Sequence, residues 1–333
     1  MPAGVVFVDY TSAPHVPAME ICGMTIAERV LRQAAQAGAT RAIVRGDRLP
    51  ALPALPIVVE TIAAAAPAPE LPVVAGDVIA GVQISDDASR ARARRALLQT
   101  CRRSYDGLAD RYVIRGMSLP LSAVFCRLRI TPNQITWVNI VVGLVACGFA
   151  AAGTRASIAI AGGLMLLQAI LDSCDGEVAR LRYLSSKFGM WLDNASDDLI
   201  DNLFIAMLGV GIGGIWMPIG VGAAIAKTLT ALMIHVDVAR RGKPGDIMAF
   251  KWFFDTAGEE LAERFETEAP SILGIGRAFG RRDMYILVWT ITCAAGVPVI
   301  GLCLGVIVGV GYFGLAIAHV IVTRRSSASA DRA

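Results

Sequence analysis

Long apolar runs fill the last two thirds of this sequence and most constrain what the chain can fold into. From about residue 134 onward, uncharged stretches of membrane length follow one another. A helix that crosses a bilayer needs about 20 apolar residues. Charged residues make up 18% of the chain, below the roughly 25% of an average soluble domain. We therefore predict a mostly α-helical membrane protein with a small soluble N-terminal domain.

Six segments of the sequence have the length and hydropathy of membrane helices. They are 133–152, 156–181, 187–212, 215–239, 284–302 and 304–323. Lys and Arg are frequent at 180–187, at 240–283 and after residue 323, whereas the opposite loops contain only Arg155. Positively charged loops stay in the cytoplasm. We therefore predict an integral, multi-pass membrane protein whose two termini and soluble domain are cytoplasmic.

The first ninety residues predict a small cytoplasmic α/β domain. The periodicity of 25–37 predicts a helix, and short apolar runs predict strands at 5–8, 41–44, 56–59 and 72–75. Strands that alternate with a helix favour a parallel sheet. The predicted domains are the α/β domain at 1–90, a linker with an interfacial helix at 91–130, the six-helix membrane domain at 131–325 and a tail at 326–333.

Two segments of this domain resemble sugar-phosphate nucleotidyltransferases. Residues 23–44 resemble their early helix and strand, and residues 73–78 resemble their strand that ends in a metal-binding Asp, here Asp77. In those enzymes a glycine-rich loop with a basic residue holds the nucleotide phosphates. The corresponding loop at 9–17 contains no glycine, Arg or Lys. We favour an inactive scaffold or dimerisation domain over active nucleotidyl transfer, with Asp77 in a turn and His15 in a loop.

The segment 105–128 mixes large apolar residues with Arg111, Arg115 and Arg127. This pattern is typical of an amphipathic helix in the cytoplasmic interface, with its arginines toward anionic headgroups. The alternative is an ordinary surface helix of the soluble domain.

Four carboxylates stand beside the apolar runs. Asp172 and Asp175 are three residues apart, Asp193 and Asp197 are four apart, and each pair therefore shares one face of a helix. Carboxylates next to membrane sequence are costly and indicate function. The partner that best suits several convergent carboxylates is a hard divalent cation. We predict a site for Mg²⁺ or Mn²⁺.

These carboxylates belong to a longer pattern, Asp-x2-Asp-Gly-x2-Ala-Arg-x8-Gly-x3-Asp-x3-Asp, with eight defined positions within 26 residues. It resembles the signature of the CDP-alcohol phosphotransferases at every defined position, and the resemblance extends over roughly 104–325. The residues that carry it are Asp172, Asp175, Gly176, Ala179, Arg180, Gly189, Asp193 and Asp197.

The resemblance implies an enzyme that moves the phosphoalcohol of a CDP-alcohol onto a hydroxyl of a polyol or polyol phosphate and releases CMP. It further implies that the four aspartates bind the metal and that Asp197 is the general base. Gly176, Ala179, Arg180 and Gly189 would line the donor, on the cytoplasmic side. It also implies a homodimer through the membrane domain.

Three further residues are candidates for substrate binding. Residues 131–133 resemble the opening of the family's first membrane helix, so Asn133 either touches the nucleotide or only helps to begin the helix. Lys227 lies in the middle of a predicted span and either binds an acceptor phosphate or polyol or pairs with a signature carboxylate. Arg282 either reaches a phosphate or anchors the helix at the lipid interface. Asp201 is a candidate partner of the motif, and Glu177 and Asp198 are expected to be solvated.

Several functions remain open from the sequence. The leading donor is CDP-diacylglycerol, which would place the protein in phospholipid biosynthesis among membrane lipids. The α/β domain fused to this membrane domain also resembles enzymes that make inositol phosphodiesters from CDP-inositol. A divalent-cation transporter is the alternative of another class, and it predicts acidic residues at mid-depth of several helices. The net charge of +3 is too small to favour nucleic-acid binding.

Overall fold

The computed structural model describes residues 4–47, 49–103, 106–253 and 280–330. The chain divides into two compact units. The first comprises 1–102, 119–131 and 177–184, and the second comprises 103–118, 132–176 and 185–333. Parts of three predicted segments lie outside the described residues: the middle of the 240–283 loop with Arg264 and Arg277, the start of the 105–128 helix, and the end of the tail.

The first unit contains the predicted α/β domain. Its strands are β1 (Gly4–Asp9), β2 (Glu20–Ile21), β3 (Met24–Thr25), β4 (Ala39–Arg45), β5 (Val58–Ile62), β6 (Val73–Val74), β7 (Val78–Ile79) and β8 (Val82–Gln83). A parallel sheet has the order β5-β4-β1-β6, and β2–β3 and β7–β8 form antiparallel pairs. The prediction of a small domain with a parallel sheet is confirmed.

Helix α1 (Ile26–Gln36) covers this sheet because its sequence has one apolar face. Thr25 begins the helix, and its hydroxyl accepts a hydrogen bond from the amide of Glu28 at 3.2 Å. Val30 and Leu31 are 1% exposed. The domain continues into α2 (Asp87–Gln99), where Asp86 accepts from the amide of Ser89 at 2.7 Å.

The predicted interfacial segment is helical, as a short π-helix (Asp110–Ile114) that runs into α3 (Arg115–Arg127). One arginine of this segment does not point toward headgroups. Arg115 is 6% exposed and donates two hydrogen bonds of 2.9 Å to the carboxylate of Asp106. A bidentate pair of this kind satisfies the guanidinium inside the protein. Arg111 and Arg127 are exposed.

The apolar half of the chain forms long helices: α4 (Pro132–Ala151), α5 (Arg155–Leu181), α6 (Lys187–Ile212), α7 (Trp216–Arg240), α8 (Arg282–Ala295) and α9 (Pro298–Ala330). Among the described residues, four segments are long and apolar enough to cross a membrane, namely Pro132–Ala151, Arg155–Leu181, Trp216–Arg240 and Pro298–Arg324. Helix α6 carries several aspartates and α8 has only 14 residues. Six spans therefore remain a prediction.

The boundary between the last two helices differs from the predicted one. The sequence predicts a helix at 284–302, whereas α8 ends at Ala295. Gly296 stops it because its φ of 77° lies in the left-handed region that favours glycine. Pro298 then begins α9, a position that suits proline.

Helix α6 packs against both α4 and α7, and glycines permit close contact. A Cβ atom on Gly211 would lie 1.9 Å from the carbonyl oxygen of Ala150, and one on Gly209 would lie 3.1 Å from the Cα of Gly220. Helix α8 is fixed by Trp289, which is fully buried, donates to the carbonyl of Gly301 at 2.9 Å and contacts Phe204. These contacts set the positions of the polar residues on α6 and α8.

Candidate active site

Three of the four signature aspartates come together within the second unit. Asp172, Asp193 and Asp197 each have one carboxylate oxygen that lies within 4.8 Å of such an oxygen in the other two. Asp172 comes from α5, and the other two come from successive turns of α6. Ser186 fixes the start of α6, since its side chain accepts from the amide of Gly189 at 2.9 Å. The spacing of four residues then brings both aspartates to one face.

The oxygens of this cluster fit a hard cation. The Oδ1 atoms of Asp172 and Asp193 are buried and have no hydrogen-bond partner among the described residues. A buried carboxylate oxygen without a partner is energetically costly. Divalent cations such as Mg²⁺ and Mn²⁺ prefer carboxylate oxygens. The cluster therefore has both the ligand type and the available ligand atoms for such an ion.

Asp175, the fourth signature aspartate, lies beside this cluster. It is 4% exposed and accepts a hydrogen bond from the hydroxyl of Thr136 on α4 at 2.7 Å. Thr136 thus orients Asp175 from a third helix.

Arg282 sits between two of the clustered aspartates. Its guanidinium donates to Oδ2 of Asp172 and lies against Oδ2 of Asp197, each at 2.8 Å. The same side chain donates to Gln168 at 3.0 Å, and Gln168 donates to Asp197 at 3.2 Å. Arg282 is therefore a partner of the carboxylates in this structure, not a residue at the lipid interface.

A second group of polar residues supports Arg282 from α6, α7 and α8. Asp201 is 1% exposed and accepts from Arg282 Nε at 3.0 Å and from the hydroxyl of Tyr285 at 2.5 Å. Lys227 lies 3.8 Å from Asp201 and 3.4 Å from the Tyr285 hydroxyl. Lys227 therefore pairs with a carboxylate outside the signature. The site described so far contains five carboxylates but only two cationic side chains, so negative charge is in excess there.

The remaining predicted site residues lie on the same helices. Asn133 stands next to Gly189, because a Cβ atom on Gly189 would lie 3.1 Å from its Oδ1. Gly176 is half-buried on α5. Ala179 and Arg180 lie at the end of α5, in the part that belongs to the first unit. There Arg180 approaches the carbonyl of Cys101 at 3.5 Å.

Of the two residues that were expected to be solvated, Glu177 is not and Asp198 is only partly so. Glu177 is fully buried and accepts from the hydroxyl of Ser122 at 2.6 Å. It is buried because the last turns of α5 are enclosed within the first unit. Asp198 is half-buried and contacts Nε2 of His235 at 3.0 Å. The helical pattern places both residues off the signature faces, but it does not identify the neighbouring helix.

The sequence did not by itself single out Gln168, Tyr285 and Thr136 as parts of this site, although a signal exists for each. Gln168 precedes Asp172 by four residues, Tyr285 follows Arg282 by three and Thr136 follows Asn133 by three. Each therefore shares a helix face with a predicted site residue.

Part of the chain is similar to a known protein family. Residues 129–257 match the family described as CDP-alcohol phosphatidyltransferase. Curated relatives named "Bifunctional IPC transferase and DIPP synthase" come from several organisms. The protein from Thermococcus kodakarensis is 33% identical over 150 residues, which cover 45% of this chain and 33% of that relative. The one from Archaeoglobus fulgidus is 37% identical over 118 residues, 35% of this chain and 23% of the relative.

A third relative of the same name, from Aquifex aeolicus, is 32% identical over 126 residues, which cover 38% of this chain and 28% of the relative. The chain thus spans a third or less of the length of the curated relatives it matches.

Proposed function

We propose that the chain is a membrane phosphotransferase that moves a phosphoalcohol from a CDP-alcohol to a hydroxyl acceptor, since residues 129–257 match the CDP-alcohol phosphatidyltransferase family. The observation that carries this proposal is the cluster of Asp172, Asp193 and Asp197, with ligand atoms within 4.8 Å of one another. In this proposal the domain is multi-pass, with its site on the cytoplasmic side, and it forms a homodimer.

The four signature aspartates have the roles that the resemblance implies. Asp172, Asp175, Asp193 and Asp197 would hold Mg²⁺ or Mn²⁺. When bound, the metal supplies charge neutralisation for the donor diphosphate. In this proposal Arg282, which contacts two of these carboxylates, also contributes positive charge for a donor phosphate.

Asp197 is the proposed general base. It takes the proton from the acceptor hydroxyl as that oxygen forms its bond to the β-phosphorus of the donor. The bond between that phosphorus and the CMP oxygen breaks, and its electron pair leaves with CMP. Gln168 donates to Oδ1 of Asp197 at 3.2 Å, and Arg282 contacts Oδ2. These two contacts orient the carboxylate toward the acceptor.

Donor and acceptor binding use the other candidate residues. Gly176, Ala179, Arg180 and Gly189 line the CDP-alcohol, and Asn133 lies beside Gly189. Lys227 contributes positive charge for a polyol or polyol-phosphate acceptor. Its contacts with Asp201 and Tyr285 support this role, since they keep the ammonium inside the membrane domain.

Two donors are comparable candidates. CDP-diacylglycerol would give a phospholipid, as the sequence analysis favoured. CDP-inositol would give an inositol phosphodiester, and the relatives with a transferase and a synthase in their name support this alternative to a similar degree. In either case the acceptor is a hydroxyl compound and CMP is the leaving product.

A divalent-cation transporter is less consistent with the site. A transport path would need acidic residues at mid-depth of several helices, whereas the clustered aspartates come from only two helices, α5 and α6. Flux of Mn²⁺ into proteoliposomes, without any CDP-alcohol, would support the transporter instead.

The proposal is tested by CMP release from the purified full chain. The protein is supplied with Mg²⁺ or Mn²⁺, with CDP-diacylglycerol or CDP-inositol, and with a panel of polyols and polyol phosphates. We expect metal-dependent CMP release that requires one donor and one acceptor. Binding of a donor without CMP release from any pair would refute the transferase.

The role of Asp197 is tested with a matched pair of variants. Asp197→Asn should lower kcat by at least ~100-fold, the usual contribution of a general base, with little change in CDP-alcohol binding by calorimetry. Asp198→Asn changes the neighbouring carboxylate, which contacts His235 instead, and should retain turnover. If Asp197→Asn remains active, another group removes the proton.

A further inference from the structure

The C-terminal end of α5, which carries part of the signature, is closed by a Schellman motif. The amides of residues 182, 183 and 184 donate to the carbonyls of residues 178, 180 and 179, at 3.0, 3.4 and 2.9 Å. This pattern is the usual way in which a helix satisfies its last carbonyls. None of these three amides donates to the carbonyl of Leu181.

Arg29 of the α/β domain completes this helix end. One of its terminal nitrogens donates to the carbonyl of Leu181 at 2.8 Å, and the other donates to the carbonyl of Ile21 at 2.9 Å. Arg29 is only 1% exposed. A cation is favourable at a helix C-terminus, where the carbonyl dipoles point outward. All of these residues belong to the first unit.

The same arginine contacts a residue with an unfavourable backbone conformation. Tyr183 has a φ of 55°, in the left-handed region that a Schellman motif normally fills with glycine. The Arg29 guanidinium lies over the Tyr183 ring, 5.8 Å from its centroid. This cation–π contact offsets part of the cost of a tyrosine at this position.

The hairpin that holds Ile21 is itself closely packed. Gly23 has a φ of 71°, and a Cβ atom there would lie 2.0 Å from the carbonyl oxygen of Cys126 at the end of α3. Other contacts surround the same turns of α5, since Ser122 donates to Glu177 and Arg182 donates to the carbonyl of Ile130 at 3.1 Å. The position of Arg29 is therefore set by packing on several sides.

We propose that the α/β domain positions the donor-binding end of the signature helix and that Arg29 is the positioning residue. The last turns of α5 contain Ala179 and Arg180, which line the CDP-alcohol. The domain would thus act on substrate affinity through the backbone of residues 177–184 and not through nucleotidyl transfer. The effect on substrate affinity rests on the proposed function, whereas the capping of the end of α5 by Arg29 does not.

Hydrogen exchange on the full-length protein tests the cap. Arg29→Met removes both donors and keeps a long apolar stem. It should raise amide exchange at residues 182–184 by about tenfold, the effect expected for the loss of a hydrogen bond from a charged group. Arg32→Met is the control on the same helix, because Arg32 pairs with Glu28 at 2.9 Å. Unchanged exchange in Arg29→Met would overturn the proposal.

Kinetics separate positioning from a general loss of folded protein. Arg29→Met should raise the KM for the CDP-alcohol about tenfold, matching the exchange effect, while kcat stays within about twofold. A fall in kcat at unchanged KM would indicate only less active enzyme and would refute the positioning role. If the wild-type protein releases no CMP, the proposed function fails, and the exchange experiment alone decides whether the cap exists.

Two further variants keep the inference testable if Arg29→Met does not fold. Arg29→Lys keeps one cation but loses the planar fork, so it should show an intermediate KM and intermediate exchange. Tyr183→Gly, added to Arg29→Lys, removes the left-handed strain at C′ and should restore part of the protection. Full wild-type behaviour of Arg29→Lys would overturn the proposal, since a single donor would then suffice.

Discussion

At the residue scale, Arg282 is the side chain that holds the carboxylates of the site in one arrangement. It contacts Asp172 and Asp197 at 2.8 Å and Asp201 at 3.0 Å. Its guanidinium presents several donors in a fixed plane, which lysine does not. The position of this plane depends in turn on Asp201 and on Tyr285, which donates to Asp201.

Tyr285→Phe tests this dependence. The change removes only the hydroxyl that donates to Asp201 at 2.5 Å. Loss of a partner one step behind a metal or substrate ligand typically costs 10- to 100-fold in affinity or activity, so we expect kcat/KM for CMP release to fall by about tenfold. Tyr312→Phe is the control, because Tyr312 contacts Trp252 on another part of the molecule. Equal activity of both variants would show that Arg282 is held without Tyr285.

The sequence predicted the site residues only as far as helical spacing allows. Intervals of three and four residues predict which aspartates share a face of α5 or of α6. The cluster of Asp172, Asp193 and Asp197 agrees with this prediction. The partner of Lys227 did not follow, because Asp201 and Tyr285 lie on other helices. Such pairs depend on the rotation of each helix in the bundle, which no local interval encodes.

At the element scale, α4 and α6 are close because small residues face each other. Gly211→Ala would place a Cβ atom 1.9 Å from the carbonyl oxygen of Ala150. Backbone atoms cannot move aside, so we expect a loss of about 1–3 kcal/mol and a lower Tm for the detergent-solubilised protein. Gly148→Ala on α4 meets nothing within 4 Å and should be neutral or slightly stabilising. Equal Tm values would mean that α4 and α6 separate at no cost.

The sheet of the α/β domain contains a pair that makes its stability depend on pH. Arg45 on β4 donates to Asp9 on β1 and lowers the pKa of Asp9 from 3.8 to about 2. The folded state therefore binds the proton less readily than the unfolded state. The ion pair therefore contributes fully to stability above about pH 4, and this contribution is lost as the pH falls toward 2.

Asp9→Asn measures this contribution in the full chain. The urea concentration at which half of the α/β domain is unfolded can be measured by its susceptibility to proteolysis. At neutral pH it should be lower for the variant than for the wild type. The difference should shrink as the pH falls toward 2 and below it, because the Asp9 carboxylate becomes protonated and loses its charge. Glu60→Gln removes the exposed partner of Arg41 and should have little effect at any pH. A constant difference for Asp9→Asn would contradict the role of the charge.

The main elements were predictable, whereas the short antiparallel pairs β2–β3 and β7–β8 and the end of α8 were not. The helix at 25–37, the parallel strands and the starts of α4 to α7 follow from periodicity and from capping residues. The end of α8 did not, because the apolar run continues without interruption through Gly296. Hydropathy does not register a left-handed glycine, and this residue alone ends the helix.

At the scale of the whole molecule, the number of membrane crossings decides which loops share a side. With six spans and the predicted cytoplasmic N-terminus, Lys243 after α7 would be cytoplasmic and Ile215 before α7 would face the opposite side. With only the four qualifying spans, α6 and α8 do not cross and the two residues exchange sides. The packing of α6 against both α4 and α7 favours six.

Cysteine labelling in cells distinguishes the two arrangements. Ile215 is 71% exposed and Lys243 is exposed, so each accepts a cysteine without disturbing the core. A maleimide that does not cross membranes should label Ile215→Cys in intact cells and Lys243→Cys only after the cells are opened. The unmodified chain is the control for its seven natural cysteines. The reverse pattern would rule out six spans with a cytoplasmic N-terminus.

The long separation in sequence between Asp172 and Arg282 has a consequence for how the protein is made. The two residues are 110 positions apart, which a ribosome covers in roughly 5 to 20 s at about 5–20 residues per second. During this interval the aspartates of α5 and α6 exist without the guanidinium that later joins them. The nascent helices therefore meet the bilayer with their charges still needing water or cytosolic cations. On the predicted topology, the timing of synthesis, and not only the finished geometry, favours acidic residues near the cytoplasmic surface.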